Sequence, residues 1–315
     1  MKIAVAITCH NQHELVRKTI SSLYSNSVVP DIVYIMSDAK PYWNLPGDPG
    51  FVVPLNNHGK FIGRCGNRNS VISHFIASDC DAIVFMDGDC YPDSGGFLGE
   101  YKKLLAEHDL IFGTRKHEDV STLSAPPSDL LTANMDNMWK GEPIDYTDLR
   151  VVAGAVIAWQ EAKTFSERLD LMLTGMIGWS CNFGFTKEGL IKLRKFQTKT
   201  YGLKEGIFDS DAFGDGWGYE DVAMGIDALY AGLDIWITNR VTVGHRSHER
   251  SDGLFDHIQG RHKIMERYRM LDRYAKSKDF ILKAAMLATA FFTGGLIAGL
   301  VTMAINFFNI MELGY

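Results

Sequence analysis

The stretch VFMDGDCYPD, residues 84–93, places two carboxylates one residue apart directly after an apolar run. The run at 82–86 is short and rich in branched residues, which is typical of a buried β-strand. Asp87 and Asp89 would then stand at the carboxyl end of that strand, where open α/β sheets bind their ligands. Such a pair suits a hard divalent cation, but the same tripeptide is also common in acidic turns. Other parts of the sequence are needed to distinguish a metal site from an acidic turn.

The N-terminal half predicts a doubly wound α/β fold, because short apolar runs alternate with helical patterns. Val71, Ile72 and Phe75, for example, have the spacing of one helix face. The runs that we interpret as buried parallel strands are 3–7, 32–36, 82–86 and 109–112. The polar residues that follow these strands are Thr8 to Asn11, Asp38, and Asp87 to Asp89. Neither a GxGxxG fingerprint nor a GxxxxGK[ST] loop follows the first strand, so a dinucleotide fingerprint and a P-loop are both unsupported.

The composition is that of an ordinary globular protein of 315 residues, with 46% hydrophobic and 22% charged residues. The net charge of -6 does not favour nucleic acid as a partner, although a local basic groove on an acidic protein could still bind it. The five cysteines are odd in number and scattered, and none forms a C-x-x-C pair. They favour a reducing cytosol over a disulfide framework or a zinc knuckle.

The C-terminal region contains 28 residues without a charge, from 284 to 311, enough for a helix that crosses a membrane. The alternative is a buried helix that packs on the globular part. Three lysines precede the segment and only Glu312 follows it, which predicts a globular part on the cytoplasmic face. Gly295 and Gly299 have a G-x-x-x-G spacing that could join two such helices in a homo-oligomer. The N-terminus does not have the pattern of a signal peptide.

Two further segments separate the parts of the chain. Residues 114–150 are polar and weakly patterned, which predicts a long loop that could close over a ligand. Residues 261–283 are rich in Arg and Lys, and predict a helix on an anionic membrane surface or a solvated linker helix. The predicted division is 1–113, 114–255, 256–283 as a basic linker helix, and 284–311 as a hydrophobic helix.

Two more groups of residues can carry chemistry. In GDGWGYEDVAMGIDAL, residues 214–229, glycines and Trp217 precede Glu220 and Asp221 at the predicted start of a helix. A tryptophan offers a flat face for a sugar, whereas acids in a first turn are also ordinary helix caps. In VTVGHRSHERSD, a strand pattern ends at His245, with His248 close behind, and imidazole suits Mn²⁺ and related ions.

Taken together and in order, these stretches resemble a GT-A fold glycosyltransferase of the family 2 type. The second half is similar to the C-terminal region of galactosyltransferases and polypeptide GalNAc-transferases. The matching stretches are VAITCHNQHELVRKTISSL, SD at 37–38, GRCGNRNSVI at 63–72, VFMDGDCYP, GIFDSDAFGDGWGYEDVAMGIDALYAGLDI at 206–235, and VGH at 243–245. The resemblance implies a Rossmann-like nucleotide-binding sheet fused to an acceptor-binding half.

The resemblance also implies a donor site. Asp38 would bind the uracil or ribose of a nucleotide-sugar, with Thr8 beside it in the nucleotide pocket. Arg68 and Asn69 match a motif near the nucleotide. Trp217 belongs with these donor residues and would also help to hold the acceptor. Cys9-His10 and MSDAK depart from the family pattern, which leaves the base that is recognised open, with UDP as the family default.

A metal site and a base complete what the resemblance implies. Asp87 would contact ribose or metal-bound water, and Asp89 would be a direct ligand of Mn²⁺ or Mg²⁺. His245 matches the third metal ligand, with His248 as the fallback. Asp221 matches the catalytic base, and Glu220 would hold the acceptor with Trp217.

The expected function is therefore metal-dependent, inverting transfer of a sugar from a nucleotide-sugar to an acceptor hydroxyl. The acceptor would be a lipid-linked or envelope glycan at a membrane. Alternatives are a protein or modified nucleic acid base as acceptor, a non-catalytic nucleotide-sugar-binding module, and a phosphatase of the haloacid dehalogenase type. The last would need the acidic motif after a first strand, whereas here it follows a later one.

Overall fold

The computed structural model divides the chain into two compact units, Met1–Ile264 and Met265–Tyr315. The residues that the structure describes are 1–9, 12–37, 42, 52–56, 63–117, 149–173, 178, 180–204, 206–213, 219–246, 260, 262–269 and 271. The described residues at 262–269 are helical and lie within the segment that was predicted as a basic linker helix, 256–283.

No helix within these ranges combines the length and the apolar character needed to cross a membrane. The predicted hydrophobic helix at 284–311 lies outside the described residues, and so do most of the predicted long loop at 114–150 and most of the basic segment.

The described part of the first unit is a mixed α/β structure with eight strands in one sheet. The strands are β1 (Ile3–Cys9), β2 (Ile32–Ser37), β3 (Val52–Asn56), β4 (Ala82–Asp87), β5 (Cys90–Pro92), β6 (Leu110–His117), β7 (Asn182–Thr186) and β8 (Ile235–His245). The helices are α1 (His13–Tyr24), α2 (Gly63–Ala77), α3 (Phe97–Leu104), α4 (Leu149–Glu161), α5 (Phe165–Leu173), α6 (Lys187–Tyr201), α7 (Ser210–Phe213) and α8 (Glu220–Tyr230). All four predicted strands are confirmed.

The sheet order is β3-β2-β1-β4-β7-β6-β8-β5. The first four strands in this order are parallel neighbours. The parallel pairing of β1, β2 and β4 agrees with the prediction, whereas β3 was not predicted, and Thr8 of β1 lies opposite Asp87 of β4. The second half differs, because β7 is antiparallel to both β4 and β6 and so separates β6 from the parallel group. The prediction missed this arrangement because a short apolar run carries no information about strand direction.

The core explains why β1 and β4 are nearly continuous apolar runs. Ile3 to Ile7 of β1 are fully buried, as expected for a central strand covered on both faces. On β4 and β7, Phe85 stacks on Phe183 with ring centroids 4.6 Å apart. Phe183 also contacts Phe208, which brings a segment between α6 and α7 against the sheet. The sheet therefore positions residues from distant parts of the sequence.

Asn182, the first residue of β7, joins three strands through its fully buried side chain. Its Nδ2 donates to the carbonyl oxygens of Thr114 on β6 and Val241 on β8, at 2.9 and 2.8 Å. Its Oδ1 accepts from the hydroxyl of Tyr101, at 2.7 Å. His245 is the last residue of β8, so the hydrogen bonds of Asn182 also help to position this residue of the candidate site.

We expect Asn182→Ala to lower the free energy of unfolding by about 3 kcal/mol, because it leaves buried hydrogen-bonding groups unsatisfied. Urea denaturation measures the change. Asn239→Ala is the matched control, since Asn239 is an exposed asparagine of β8 and its removal should cost less than about 0.5 kcal/mol. Equal losses in the two variants would contradict the structural role of Asn182.

Candidate active site

The acidic turn of the opening stretch, Asp87-Gly88-Asp89, connects β4 to β5. The Gly88 N–H donates to the carbonyl oxygen of Thr8 at 2.7 Å, so the turn lies directly against the end of β1. A Cβ on Gly88 would come within 2.9 Å of Val16, which explains why a glycine stands between the two acids. The hydroxyl of Thr19 on α1 also lies within hydrogen-bonding distance of the Gly88 carbonyl oxygen, at 3.0 Å. The turn is therefore held by β1 and α1.

The carboxylate of Asp87 accepts hydrogen bonds from two side chains. Its Oδ1 accepts from the Thr8 hydroxyl at 2.9 Å and from Arg68 Nη2 at 3.2 Å. Burial alone would raise the pKa of Asp87, but the charges of Arg68 and Arg64 outweigh burial, and the pKa is lowered. Asp87 therefore stays ionised, and the predicted neighbours Thr8, Arg68 and Asp87 lie together.

Asp89 lies beside His245, with Asp89 Oδ2 and His245 Nε2 3.4 Å apart. The antiparallel pairing of β5 with β8 places Cys90 opposite His245, and the Arg246 N–H donates to the Asp89 carbonyl oxygen at 3.0 Å. Both side chains are buried. The structure thus brings together two of the three predicted metal ligands.

Within the described ranges, no three histidine, cysteine, aspartate or glutamate side chains form a metal-binding cluster. The predicted set of Asp87, Asp89 and His245 therefore does not form one cluster, and Asp87 accepts hydrogen bonds from Arg68 and Thr8. The remaining pair of one carboxylate and one imidazole still fits a Mn²⁺ or Mg²⁺ ion that takes its other ligands from water and substrate phosphates.

Arg68, on α2, bridges two acids from distant parts of the sequence. One acid is Asp87, at the end of β4. The other is Glu220, at the start of α8, whose Oε1 accepts from Arg68 Nη1 at 2.8 Å. Its guanidinium lies over the ring of Phe208, 5.5 Å from the centroid. Burial alone would lower the pKa of Arg68, but the charges of Asp87, Glu220 and Asp221 outweigh it and the pKa is raised. Arg68 is therefore fully charged.

Asp221, the predicted base, is the second residue of α8 and is only partly buried. Its carboxylate accepts from the backbone N–H groups of Ser180 at 3.0 Å and Val222 at 2.8 Å. Burial, followed by the neighbouring charge of Glu220, raises the pKa of Asp221 from 3.8 to about 6. This carboxylate is thus a stronger base than an exposed aspartate, as expected of a group that accepts a proton near neutral pH.

Asn69, which was predicted to lie near the nucleotide, forms hydrogen bonds with a backbone turn. Its Oδ1 accepts from the N–H groups of Ile207 and Phe208, both at 3.0 Å, and its Nδ2 donates to the Phe208 carbonyl oxygen at 2.7 Å. The turn includes Gly206, which has a φ of 73°. Asn69 therefore supports Phe208 beneath Arg68.

Two residues of α2 near the strand ends escaped the sequence analysis. Asn67 is buried and donates to the carbonyl oxygens of Cys9 and Met36, at the ends of β1 and β2. Arg64 is exposed and its charge acts on Asp87. Both residues belong to the motif at 63–72 and could have been proposed as site residues from it. Only its Arg-Asn pair, Arg68 and Asn69, was interpreted as part of the site.

Other predicted residues lie outside the part of the chain that the structure describes. They are His10, Asn11, Asp38, Trp217 and His248.

We expect Gly206→Ala to destabilise the protein by at least about 2 kcal/mol more than Gly202→Ala. Both glycines have a φ of 73°, so both alanine variants carry the same left-handed backbone strain, which costs about 1–2 kcal/mol. Only at Gly206 would the new Cβ lie 2.0 Å from Asn69, whereas nothing lies within 4 Å at Gly202. Urea denaturation of the two variants measures the difference, and equal stabilities would contradict the close contact.

A second prediction concerns the pH dependence of stability. Because the pKa of Asp221 is raised in the folded state to about 6, protonation of this group stabilises the fold below pH 3.8 and that stabilisation is lost as the pH rises through about 6. Asp221→Asn cannot ionise, so it should raise the free energy of unfolding at pH 8 by up to about 3 kcal/mol relative to its effect at pH 4.

Denaturation at several pH values tests this expectation. Asp79→Asn is the control, because Asp79 is an exposed aspartate whose pKa is lowered by Lys2, and its loss should give no such gain at pH 8. A difference between wild type and Asp221→Asn that stays constant from pH 4 to pH 8 would contradict the raised pKa of Asp221.

Neither a protein-family model nor a curated protein matches the sequence. Comparison with solved structures finds S. aureus TarS 1–349 in complex with UDP-GlcNAc, with 14% identity and a TM-score of 0.46 over 80% of this chain and 60% of that one. Another crystal structure of S. aureus TarS 1–349 has 13% identity and a TM-score of 0.48, over 78% and 60% of the two chains. The chain thus spans 60% of the length of these two structures. The mannosyltransferase PcManGT from Pyrobaculum calidifontis, in complex with GDP-Man and Mn²⁺, has 13% identity and a TM-score of 0.45, over 97% and 79%.

Proposed function

We propose that this protein is a metal-dependent, inverting glycosyltransferase that moves a sugar from a nucleotide-sugar, most simply a UDP-sugar, to an acceptor hydroxyl. The observation that supports the proposal most is the link through Arg68 between the acidic turn after β4 and the start of α8. It brings Asp87, beside the candidate metal pair, and Asp221, the candidate base, to one edge of the sheet. A transferase of this kind needs both groups at one crevice.

The donor side of the proposed site lies at the carboxyl ends of β1 and β4. Asp89 and His245 would hold the divalent ion, and Thr8 and Arg68 keep Asp87 charged and oriented next to them. A Mn²⁺ or Mg²⁺ ion bound there would offset the negative charge on the departing diphosphate. Asp38 and Trp217 remain proposed donor residues from the sequence resemblance.

The acceptor side is the start of α8. Asp221 accepts the proton of an acceptor hydroxyl while that oxygen attacks the anomeric carbon on the face opposite the diphosphate, which inverts its configuration. The pKa of Asp221, about 6, leaves the group ionised at pH 7 while keeping it basic enough for this role. The Ser180 and Val222 N–H groups fix the carboxylate for the transfer.

We further propose a membrane or envelope glycan as the acceptor, at the cytoplasmic face of a membrane. The 28 uncharged residues at 284–311 support this choice. Fractionation of the full-length protein tests it, because a chain that stays soluble without detergent contradicts a membrane-embedded segment.

A screen of donors tests the proposed chemistry. We expect Mn²⁺-dependent release of nucleotide from one of UDP-GlcNAc, GDP-mannose or a CMP-sugar. Asp89→Asn should weaken binding of UDP with Mn²⁺ about tenfold or more, because it removes a ligand. Asp221→Asn should leave that binding unchanged and lower turnover about 10²–10⁴-fold, because it removes the base. Calorimetry measures binding, and coupled nucleotide detection measures turnover.

Asp79→Asn is the matched control for both variants, because Asp79 precedes β4 and so lies at the opposite end of that strand from the acidic turn. It should bind UDP and turn over donor like the wild type. Wild-type turnover in both Asp89→Asn and Asp221→Asn would show that the site is assigned wrongly. Binding of UDP without any turnover, in the wild type and with every donor and acceptor tried, would favour a non-catalytic binding module.

A further inference from the structure

The surroundings of Arg68 differ from those of a residue that contacts a ligand. Its side chain is only 3% exposed, so the guanidinium lies beneath the surface of the crevice. One face of the group lies over Phe208, and its two terminal nitrogens donate to Asp87 and Glu220. Glu220 is buried and the Asp87 side chain is 31% exposed, so a nucleotide phosphate would compete with these two carboxylates for the terminal nitrogens of Arg68.

The two carboxylates belong to the two sides of the proposed site. Asp87 ends β4, next to the candidate metal pair, and Glu220 begins α8, next to Asp221. Glu220 is 3% exposed, and an ionised side chain at that depth requires a partner. The ring of Phe208 lies against the guanidinium, and Asn69 holds Phe208 in place through three hydrogen bonds to the backbone of Ile207 and Phe208.

We propose that Arg68 is a positioning residue, which fixes the start of α8 against the acidic turn and offsets the charge of Glu220 beside Asp221. This role rests on the proposed function and deepens it, since it assigns Arg68 to the acceptor side through Glu220 rather than to the nucleotide. The planar fork of arginine suits the task, because it can bind two carboxylates at once in a fixed geometry.

The charges around Asp221 give this proposal a measurable consequence. Glu220 raises the pKa of Asp221, and Arg68 opposes that effect. Cys65, on α2, remains neutral, because burial raises its pKa to about 12. Asp209 is the other carboxylate whose charge acts on this neighbourhood. Loss of Arg68 should therefore make Asp221 harder to ionise, and loss of Glu220 should make it easier.

The test is a pH titration by NMR of the protein without donor or acceptor. The N–H groups of Ser180 and Val222 donate to the Asp221 carboxylate, so their resonances report its protonation. We expect Arg68→Met to move the midpoint up by about one pH unit, since it removes a nearby opposite charge. Glu220→Gln should move it down, and the double variant should return close to the wild-type midpoint.

A second measurement separates this role from that of a nucleotide ligand. Arg68→Met and Asp87→Asn should weaken the affinity for UDP with Mn²⁺ by a similar factor, because Arg68 acts on the donor side only through Asp87, whereas loss of a phosphate-binding arginine would weaken it by about tenfold more. Arg240→Met is the matched control. It removes an exposed arginine that pairs with Glu100, and should change neither the titration nor the affinity.

Several outcomes would overturn the proposal. An unchanged midpoint in folded Arg68→Met would do so, and so would a loss of UDP affinity about tenfold or more beyond that of Asp87→Asn. If Arg68→Met does not fold, Glu220→Gln decides, because an unchanged midpoint there shows that Asp221 does not sense this cluster. The titration requires no turnover, so failure to find a donor would count against the proposed function and not against the position of Arg68.

Discussion

Only two residues, Gly88 and Asp89, connect β4 to β5, and this short connection constrains the whole sheet. In the strand order, β5 lies four positions from β4, which would be about 19 Å in a flat sheet. Three residues from Asp87 to Cys90 reach only about 10 Å. The sheet must therefore curl, and the register shift between β6 and β8 near Phe112 and Thr114 is where the pairing becomes irregular. The pairing of β5 with β8 places His245 beside Asp89, and the curvature brings this pair to the end of β4.

The site that results contains carboxylates whose environments push their pKa values in opposite directions. Arg68 lowers the pKa of Asp87 against the effect of burial, whereas burial dominates at Asp221 and raises its pKa. Pairs of titratable groups that are separated in this way commonly take different roles in catalysis. One acid is kept charged beside the candidate metal pair, and the other is kept basic. Arg68 lowers the pKa of both groups, but at Asp221 burial and the charge of Glu220 outweigh it.

Much of the fold could be predicted from local sequence. The strands at 3–7, 32–36 and 82–86 and the buried face of α2 follow from periodicity, which depends only on neighbouring residues. β3 was missed because it is short and contains Pro54, which an edge strand tolerates and which normally argues against a strand. The antiparallel direction of β7 was missed because it depends on pairing between residues about a hundred positions apart.

The acidic residues of the candidate site could be identified from the sequence, but the residues that bind them could not. Asp89 and His245 were recognisable because each follows a strand pattern, and the structure brings them together. Arg68 and Asn69 were both assigned to the nucleotide, because adjacent residues of a motif look equivalent in sequence. On a helix, adjacent side chains point about 100° apart, so one reaches the two carboxylates and the other reaches the turn at Phe208.

The start of α8 shows how this arrangement is maintained. Tyr219 has a φ of 70°, a conformation that costs a non-glycine residue about 1–3 kcal/mol and persists only where its surroundings impose it. The next two residues are each fixed from outside the helix, Glu220 by Arg68 and Asp221 by the Ser180 N–H. The strain at Tyr219 can therefore be held by two anchors that come from α2 and from the segment before β7. Because one anchor acts on the proposed base and the other on the residue before it, the same contacts that hold the backbone at Tyr219 also set the position of the base.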